Sequence, residues 1–268
     1  MSVPESDPVS AQQRFTLQRA RDDDGRLGRG FEHPDLPRTP IRRDTPLMPR
    51  DSASEISIDE LLKAYSLGYF PMARAREDED VVWVLPEERG LIPLLTARLP
   101  RRLKRFVKTD PFDIRINTAF KDVITACADA TPSRPDTWIN DAIIEAYCEL
   151  HYRGIAHSVE CWRDDQLVGG LYGIVCGAAF CGESMFSRQS NASKVAMAHL
   201  IARLKIGRFD FIDAQFVNEH LEQFGLEAIP NDDYQLMLRS ALLKGANFFA
   251  ADDQLSAARV LQSITQTS

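Results

Sequence analysis

The chain has 268 residues, 44% of them hydrophobic, and a net charge of −7 at pH 7. That length predicts one large or two modest domains with a real core, and the acidic balance argues against a protein that coats nucleic acid over its whole surface, though not against a local basic patch. The five cysteines, 127, 148, 161, 176 and 181, form no Cys-x-x-Cys and stand at no ligand spacing from histidine. They read as small buried hydrophobes in a reducing compartment. No apolar run approaches the ~20 residues of a membrane helix, and the start of the chain lacks the pattern of a secretory signal, so the expected location is the cytoplasm.

Residues 1 to about 50 carry many Arg, Asp, Pro and Gln and few aliphatics. Pro34, Pro37, Pro40, Pro46 and Pro49 forbid a long helix, which predicts a disordered or extended segment. A small N-terminal domain follows over 51–95. Ser57-Ile58-Asp59-Glu60 is a capping box, in which the Ser oxygen and the Glu carboxylate each satisfy a free backbone donor. Its helix runs through Leu61, Leu62 and Tyr65 to a stop at Gly68. Tyr69-Phe70-Pro71-Met72 reads as an extended aromatic turn. After the acidic loop Glu77 to Asp80, Val81 to Leu85 reads as a strand, and Pro86 to Gly90 as a turn into Leu91-Ile92-Pro93-Leu94.

Arg101, Lys104, Arg105 and Lys108 recur at helical spacing and share one face. Such a stripe is either a solvated helix face or, in an acidic protein, a contact for phosphate backbone. Phe112 to Ile116 reads as a strand and Thr118 to Ala128 as a helix. Asn140 is a good N-cap for a helix from Asp141 to Tyr152 that ends at Gly154. Trp138, just before it, is a hydrophobic staple or a stacking platform for a base.

From His157 the period becomes that of strands: His157–Arg163, Leu167–Val175 and Ala178–Phe186 form an antiparallel meander. Asn191–Ile206 reads as an amphipathic helix and Phe209–Phe216 as a strand. A short helix from Asn218 to Phe224 follows. Asn231 caps a last helix to about Lys244, and 246–268 reads as a tail. Glu183, with small neighbours at the end of a mostly apolar strand, is a surface carboxylate or a functional one. Asp213 and Gln215, two apart on the strand 209–216, project to one face.

Several motifs occur in order: Ala64-Tyr65, Gly68-Tyr69-Phe70-Pro71, Thr137-Trp138-Ile139, Ala156-His157-Ser158-Val159-Glu160, Val168-Gly169-Gly170-Leu171-Tyr172-Gly173, Gly182-Glu183-Ser184-Met185-Phe186-Ser187, Asn191-Ala192-Ser193-Lys194 and Asp213-Ala214-Gln215-Phe216. Over about 57–243 the sequence resembles the leucyl/phenylalanyl-tRNA–protein transferases. The resemblance implies an α/β (α+β) fold: the small N-terminal domain, then an N-acetyltransferase-like domain over 96–245 with a mixed, mostly antiparallel sheet. It also implies transfer of Leu or Phe, and less so Met, from charged tRNA to the α-amine of an N-terminal Lys or Arg of a protein, marking that protein for N-degron proteolysis. The chain departs from the family where Met72 replaces a Trp after Phe-Pro, and where Trp83-Val84-Leu85-Pro86 replaces Trp-Trp-Ser-Pro.

Ester to amide is downhill, so the chemistry calls for positioning and charge stabilisation, with no metal and no cofactor. On this reading Asp213 orients Gln215 and accepts proton density, and Gln215 hydrogen-bonds the attacking amine. The substrate's own ribose hydroxyl is the other route for the proton. Glu183 contacts the α-ammonium or the acceptor's basic side chain. Leu171, Phe180, Met185, Met197 and Ile212 line an adaptable apolar pocket. Trp138 and Tyr65, with Met72 in place of the family's Trp, contact the terminal adenosine. The face Arg101, Lys104, Arg105 and Lys108 holds acceptor-stem phosphates. A monomer is expected.

Three other readings share parts of this pattern. An acetyl-coenzyme A N-acetyltransferase needs a Gly-rich pyrophosphate loop, where Ser187-Arg188-Gln189-Ser190-Asn191-Ala192 has no glycine. A non-catalytic tRNA-binding adaptor has no need of Asp213, Gln215 and Glu183. An acyl carrier on Cys181 lacks a base nearby in sequence.

Overall fold

The computed structural model describes residues 56–130 and 136–266; the segment 1–50, expected to be disordered or extended, lies outside them. Ser57 caps α1 (Ile58–Ser66), its side chain accepting from the Glu60 N–H at 3.5 Å. Two short strands follow, β1 (Phe70–Ala73) and β2 (Val81–Val84), paired antiparallel. The aromatic turn expected at 69–72 is thus mostly strand, because Phe70, Pro71 and Met72 find partners in Val84, Trp83 and Val82.

The remaining strands make one seven-stranded sheet. They are β3 (Glu88–Pro93), β4 (Asp113–Ile116), β5 (Ala156–Arg163), β6 (Gln166–Cys176), β7 (Ala179–Ser187), β8 (Phe211–Asp213) and β9 (Glu227–Pro230), in the spatial order β4-β5-β6-β7-β8-β3-β9. Every neighbouring pair is antiparallel except β7 and β8. The fold is mixed α/β, as expected, with a mostly antiparallel sheet. The expected turn at 86–90 already contains the first residues of β3, and β3 lies inside the large sheet. The strand β9 carries no alternating pattern, so no local signal marks it.

Helices cover both faces. The first face carries α1, α3 (Phe120–Ala128), α4 (Asp141–Tyr152) and α7 (Asn231–Leu242), around a core that includes Tyr65, Tyr147, Tyr172 and Tyr234. The second face carries α2 (Arg101–Val107), α5 (Ala192–Ile206) and α8 (Ala257–Thr265), around Leu171, Phe180, Met197, Leu200 and Ile212. The short α6 (Glu219–Glu222) follows β8. Asn140 caps α4 through a bond from the Ile143 N–H at 2.9 Å. Asn231 does not cap α7: the N-cap is Pro230, which makes no side-chain capping bond, and Asn231 is the first helical residue.

Two readings are corrected on the second face. Buried positions run around the whole of α5 from Ala192 to Leu204, so this helix is not amphipathic; the sheet covers one side and α8 the other. The segment after Lys244 is not a tail. Arg203, fully buried on α5, donates to the carbonyls of Phe248, Ala251, Asp252 and Asp253. Val260 and Ile264 of α8 pack into the core, and Lys205 caps the end of α8 through the carbonyls of Ile264 and Gln266.

A buried carboxylate ties the first face together. Glu160 on β5 accepts from the N–H groups of Thr118 and Ala119 at 2.9 Å, from Ser158 Oγ at 2.8 Å, from Trp162 Nε1 at 3.0 Å, and from the Thr118 hydroxyl. It satisfies the free amides where the chain enters α3, so its burial costs little. Four of the cysteines are buried and Cys148 is half-buried, all as free thiols. No helix among the described residues is long and apolar enough to cross a membrane.

Candidate active site

The sheet opens at one place. β7 and β8 run parallel and pair only from Ala179 with Phe211 to Cys181 with Asp213. Beyond Cys181, β7 continues on β6, while the chain after Asp213 turns away. The expected strand 209–216 is therefore three residues long. Ala214 donates to the carbonyl of Gly90 at 2.9 Å, and Gln215 enters the left-handed region with φ of 57°. Gly90 is required here: a Cβ on it would collide with the Phe216 carbonyl as the turn crosses β3.

Glu183 lies on β7 at this opening, in a β-bulge. Tyr172 pairs with Ser184 and Gly173 with Gly182, so Glu183 opposes no residue of β6. The extra residue resets the alternation. Glu183 joins Tyr147 on the first face, and Met185 is turned to the second, where it packs beside Leu171, Ile212 and Met197.

The Glu183 carboxyl has two kinds of partner. Its Oε2 accepts from the Tyr147 hydroxyl at 3.1 Å, and its Oε1 accepts from Gln215 Nε2 at 3.3 Å. Tyr147 is in turn bonded to the Tyr65 hydroxyl. Tyr65, Tyr147, Glu183 and Gln215 form one chain of side-chain hydrogen bonds. Part of Glu183 reaches solvent, but dense protein surrounds its carboxyl. Desolvation pushes its pKa up to about 8; the Asp213 charge adds to this, while the tyrosine hydroxyls and Arg89 oppose it. Burial likewise holds both tyrosine hydroxyls well above their ordinary values.

Asp213 is placed differently from the sequence expectation. Its carboxylate takes Arg89 Nε at 2.8 Å and Nη2 at 2.6 Å, the Tyr234 hydroxyl at 2.7 Å and the backbone N–H of Gln215 at 2.9 Å. Both charged side chains are fully buried. Arg89 is further fixed by the Gly68 carbonyl at 2.8 Å and by the faces of Tyr234 and Phe70, at 4.4 and 5.0 Å. The buried carboxylate keeps Arg89 charged, its pKa raised in spite of desolvation. Asp213 and Gln215 do not project side by side from a strand. Asp213 holds the turn that aims Gln215, and it does so through the Gln215 backbone.

Of the five residues expected to line an apolar pocket, Leu171, Phe180, Met197 and Ile212 are packed between sheet and α5, and Met185 is partly exposed at their edge. They stand across the sheet from the partners of Glu183. Tyr65 is buried with its hydroxyl engaged, and Met72 is buried among core residues. Neither is a stacking surface, which corrects their assignment to adenosine. Trp138 is half-exposed beside β1, its carbonyl accepting from Ala73 at 3.0 Å. On α2, Leu103 and Val107 face inward, Arg101, Arg105 and Lys108 are exposed, and Lys104 is half-buried.

Sequence reasoning missed Arg89, Tyr147 and Tyr234. Each carried a signal. Arg89 is the one cation of the charged run Glu87-Glu88-Arg89 that leads into an apolar strand, and Tyr147 and Tyr234 fall on the buried faces of their helices, where a hydroxyl must find a partner.

A family model described as leucyl/phenylalanyl-tRNA protein transferase matches residues 91–239, and the model of that family's N-terminal domain matches 54–87. A leucyl/phenylalanyl-tRNA–protein transferase of Maricaulis maris is 50% identical over 210 residues, 78% of this chain and 97% of its own. One from Phenylobacterium zucineum is 52% identical over 220 residues, covering 80% and 100%. One from Caulobacter vibrioides is 48% identical over 212 residues, covering 79% and 98%.

Proposed function

The chain belongs to the leucyl/phenylalanyl-tRNA protein transferase family, and from that membership we propose how its site works. The protein is an aminoacyltransferase that moves an amino acid from charged tRNA to a protein. The finer reading is that Leu or Phe, and less so Met, passes to the α-amine of an N-terminal Lys or Arg, in the cytoplasm, by a monomer, and commits the acceptor to N-degron proteolysis.

The observation that carries the reading is the contact between Gln215 Nε2 and Glu183 Oε1 at the opening between β7 and β8. An ester lying in that opening has Glu183 and Gln215 on one side. On the other are Met185 and Ile212, the edge of the apolar layer that also holds Leu171, Phe180 and Met197. The parallel pair that opens in this way supports an N-acetyltransferase-like layout for the large domain.

The α-amine reaches the site as an ammonium with a pKa of about 8. Glu183, with its pKa pushed up to about 8, is matched to take that proton, because proton transfer between groups of similar pKa is close to balanced. Gln215 holds the freed amine against the ester carbonyl carbon. The C–N bond forms, and the ribose oxygen leaves with a proton, either by way of Glu183 or from the neighbouring ribose hydroxyl. Asp213, saturated by Arg89, Tyr234 and the Gln215 N–H, is a positioning residue. Trp138 offers the terminal adenosine a half-exposed ring, and Arg101, Lys104, Arg105 and Lys108 offer phosphate contacts on one helix face.

The test is direct. The protein is incubated with Leu-tRNA or Phe-tRNA and a peptide beginning with Arg, with acetyl-coenzyme A as the competing donor. Transfer of Leu or Phe to the peptide's α-amine is expected. Acetylation alone, or tRNA binding without transfer, would replace the reading by one of the alternatives.

A further inference from the structure

Tyr147 lies on α4 and Tyr65 on α1, and both are buried on the first face of the sheet. A buried hydroxyl has one hydrogen to place and needs an acceptor for it. Tyr147 places its hydrogen on Glu183 Oε2 at 3.1 Å. The bond between the two hydroxyls then has a single direction: Tyr65 donates and Tyr147 accepts. Both hydrogens run towards the carboxyl. The Tyr147 ring stands edge-on to Tyr172 at 5.6 Å, and Tyr172 edge-on to Phe120 at 5.7 Å, so packing fixes where the hydroxyl points.

This direction makes the two oxygens of Glu183 unequal. Oε2 is occupied by the tyrosine hydrogen. Oε1 meets the Gln215 amide at 3.3 Å, where β7 and β8 part. A proton leaving an amine held by Gln215 has Oε1 as its acceptor. The groups that face Glu183 are Tyr65 from α1, Tyr147 from α4, Cys181 from β7 itself, Arg89 from β3 and Asp213 from β8. Burial holds both hydroxyls well above their ordinary values, and a hydrogen bond with Cys176, together with burial, does the same for the Cys181 thiol. These three stay neutral while Glu183 titrates. Desolvation pushes the Glu183 carboxyl up to about 8, and Asp213 adds to this; the Tyr65 and Tyr147 hydroxyls, with Arg89, keep it from rising further. A donor to the charged form favours that form.

We propose that Tyr147, backed by Tyr65, is a positioning residue for the transfer: it fixes Oε2 of Glu183 inside the protein and leaves Oε1 to receive the proton of the acceptor's amine. The inference rests on the reaction proposed above. Neither tyrosine touches substrate; both act through Glu183.

Two variants keep the ring and remove one hydroxyl each, Tyr147→Phe and Tyr65→Phe. The Glu183 carboxyl is titrated in each through the infrared C=O band of its protonated form, identified by its loss in Glu183→Gln. In parallel, kcat and KM are measured across pH with Leu-tRNA and a peptide beginning with Arg. Tyr147→Phe is expected to move the titration midpoint up by about one pH unit, the scale of a hydrogen bond to a charged group. Its kcat is expected to fall by about tenfold at pH 7.5 but only about twofold at pH 9, following the deprotonated fraction of the carboxyl. KM for charged tRNA is expected to stay the same. Tyr65→Phe is expected to move the midpoint in the same direction. A fall in kcat equal at every pH, with the midpoint unmoved, would make the hydroxyl structural and overturn the proposal. A moved midpoint with unchanged kcat would detach the tyrosines from the reaction and overturn it as well. If Tyr147→Phe does not fold, Tyr65→Phe is read alone, and an unmoved midpoint there overturns the proposal. Failure of the unsubstituted protein to transfer from charged tRNA at all sinks the proposed reaction instead, and is seen before any variant is compared.

Discussion

The carboxylate of Asp213 grips both Nε and Nη2 of Arg89, and neither side chain is exposed. The pair joins β8 to β3 at the level where β8 stops and the Gln215 turn begins. It also draws in the Gly68 carbonyl behind α1 and the Tyr234 hydroxyl on α7. One ion pair thus fixes the N-terminal unit, the last long helix and the turn that aims Gln215.

Removing one partner leaves the other charge buried and unpaired, at a cost of about 3–5 kcal/mol. Asp213→Leu and Arg89→Met are each expected to lower the unfolding free energy by that order. The double substitution Arg89→Met with Asp213→Leu is expected to cost less than the sum of the singles. Urea titrations of the four proteins measure this; strictly additive losses would show that the pair is not coupled.

Glu183 gives a pH signature. Its pKa is pushed up to about 8 in the folded protein, against about 4.3 for a free carboxyl. Between those values the folded state binds more protons than the unfolded state, so stability falls as pH rises. The contribution is fully present below about pH 4 and is lost as pH climbs through about 8. Glu183→Gln, which mimics the neutral form, is expected to flatten the decline between pH 6 and 9. Denaturation curves across that window decide the point; equal slopes in the two proteins would show that the carboxyl is not raised.

On α2, Arg101→Ala with Arg105→Ala removes two exposed charges and leaves Leu103 and Val107 packed. KM for charged tRNA is expected to rise, and the dependence of log KM on log salt to fall by about 1–2, on a scale of about 0.9 per phosphate contact in duplex DNA. A short aminoacyl-adenosine donor, which has no acceptor stem, is expected to be used as before. Equal losses with both donors would assign the stripe to structure.

The C-terminal segment separates what the sequence made legible from what it did not. The meander, the caps of α1 and α4 and the basic stripe of α2 were readable because local period and local capping determine them. The role of residues 246–266 was not, since it depends on Arg203 meeting four carbonyls some 45 to 50 residues away. The left-handed Gln215 and the bulge at Glu183 were hidden for the same reason: each is set by the register of neighbouring strands. Motif order named Glu183, Asp213 and Gln215, which the fold brings together, but it could not show which of them touch. Truncation after Lys244 is expected to unfold the protein or lower its Tm by more than 10 °C. Burial of Phe248, Val260 and Ile264 alone contributes about 1.5–3 kcal/mol each, and 1 kcal/mol moves Tm by about 2–4 °C in a domain of this size. A normal Tm in the truncated protein would mark the segment as dispensable.

The last prediction concerns Gln215 and Glu183, whose side chains meet at 3.3 Å where the sheet opens. Gln215 has no titrating group, so it can only orient and hydrogen-bond. Glu183 has a carboxyl matched to the acceptor's ammonium. Gln215→Ala and Glu183→Gln are each expected to lower kcat by roughly 10²-fold or more, the scale of positioned acid–base help. Because the two act on one amine, the double variant is expected to lose little beyond either single one. Asp213 reaches this unit only through the Gln215 backbone. Asp213→Asn is therefore expected to lower kcat together with stability, and in the Gln215→Ala background to add a stability loss with little further loss of kcat. Donor binding, read as the Kd for a non-hydrolysable aminoacyl-adenosine, is expected to stay within about twofold for Gln215→Ala and Glu183→Gln, a difference of about 0.4 kcal/mol. Multiplicative losses in the double variant would show that the two side chains act on different steps. A near-normal kcat in Glu183→Gln would take the carboxyl out of the proton path and leave the ribose hydroxyl as its carrier.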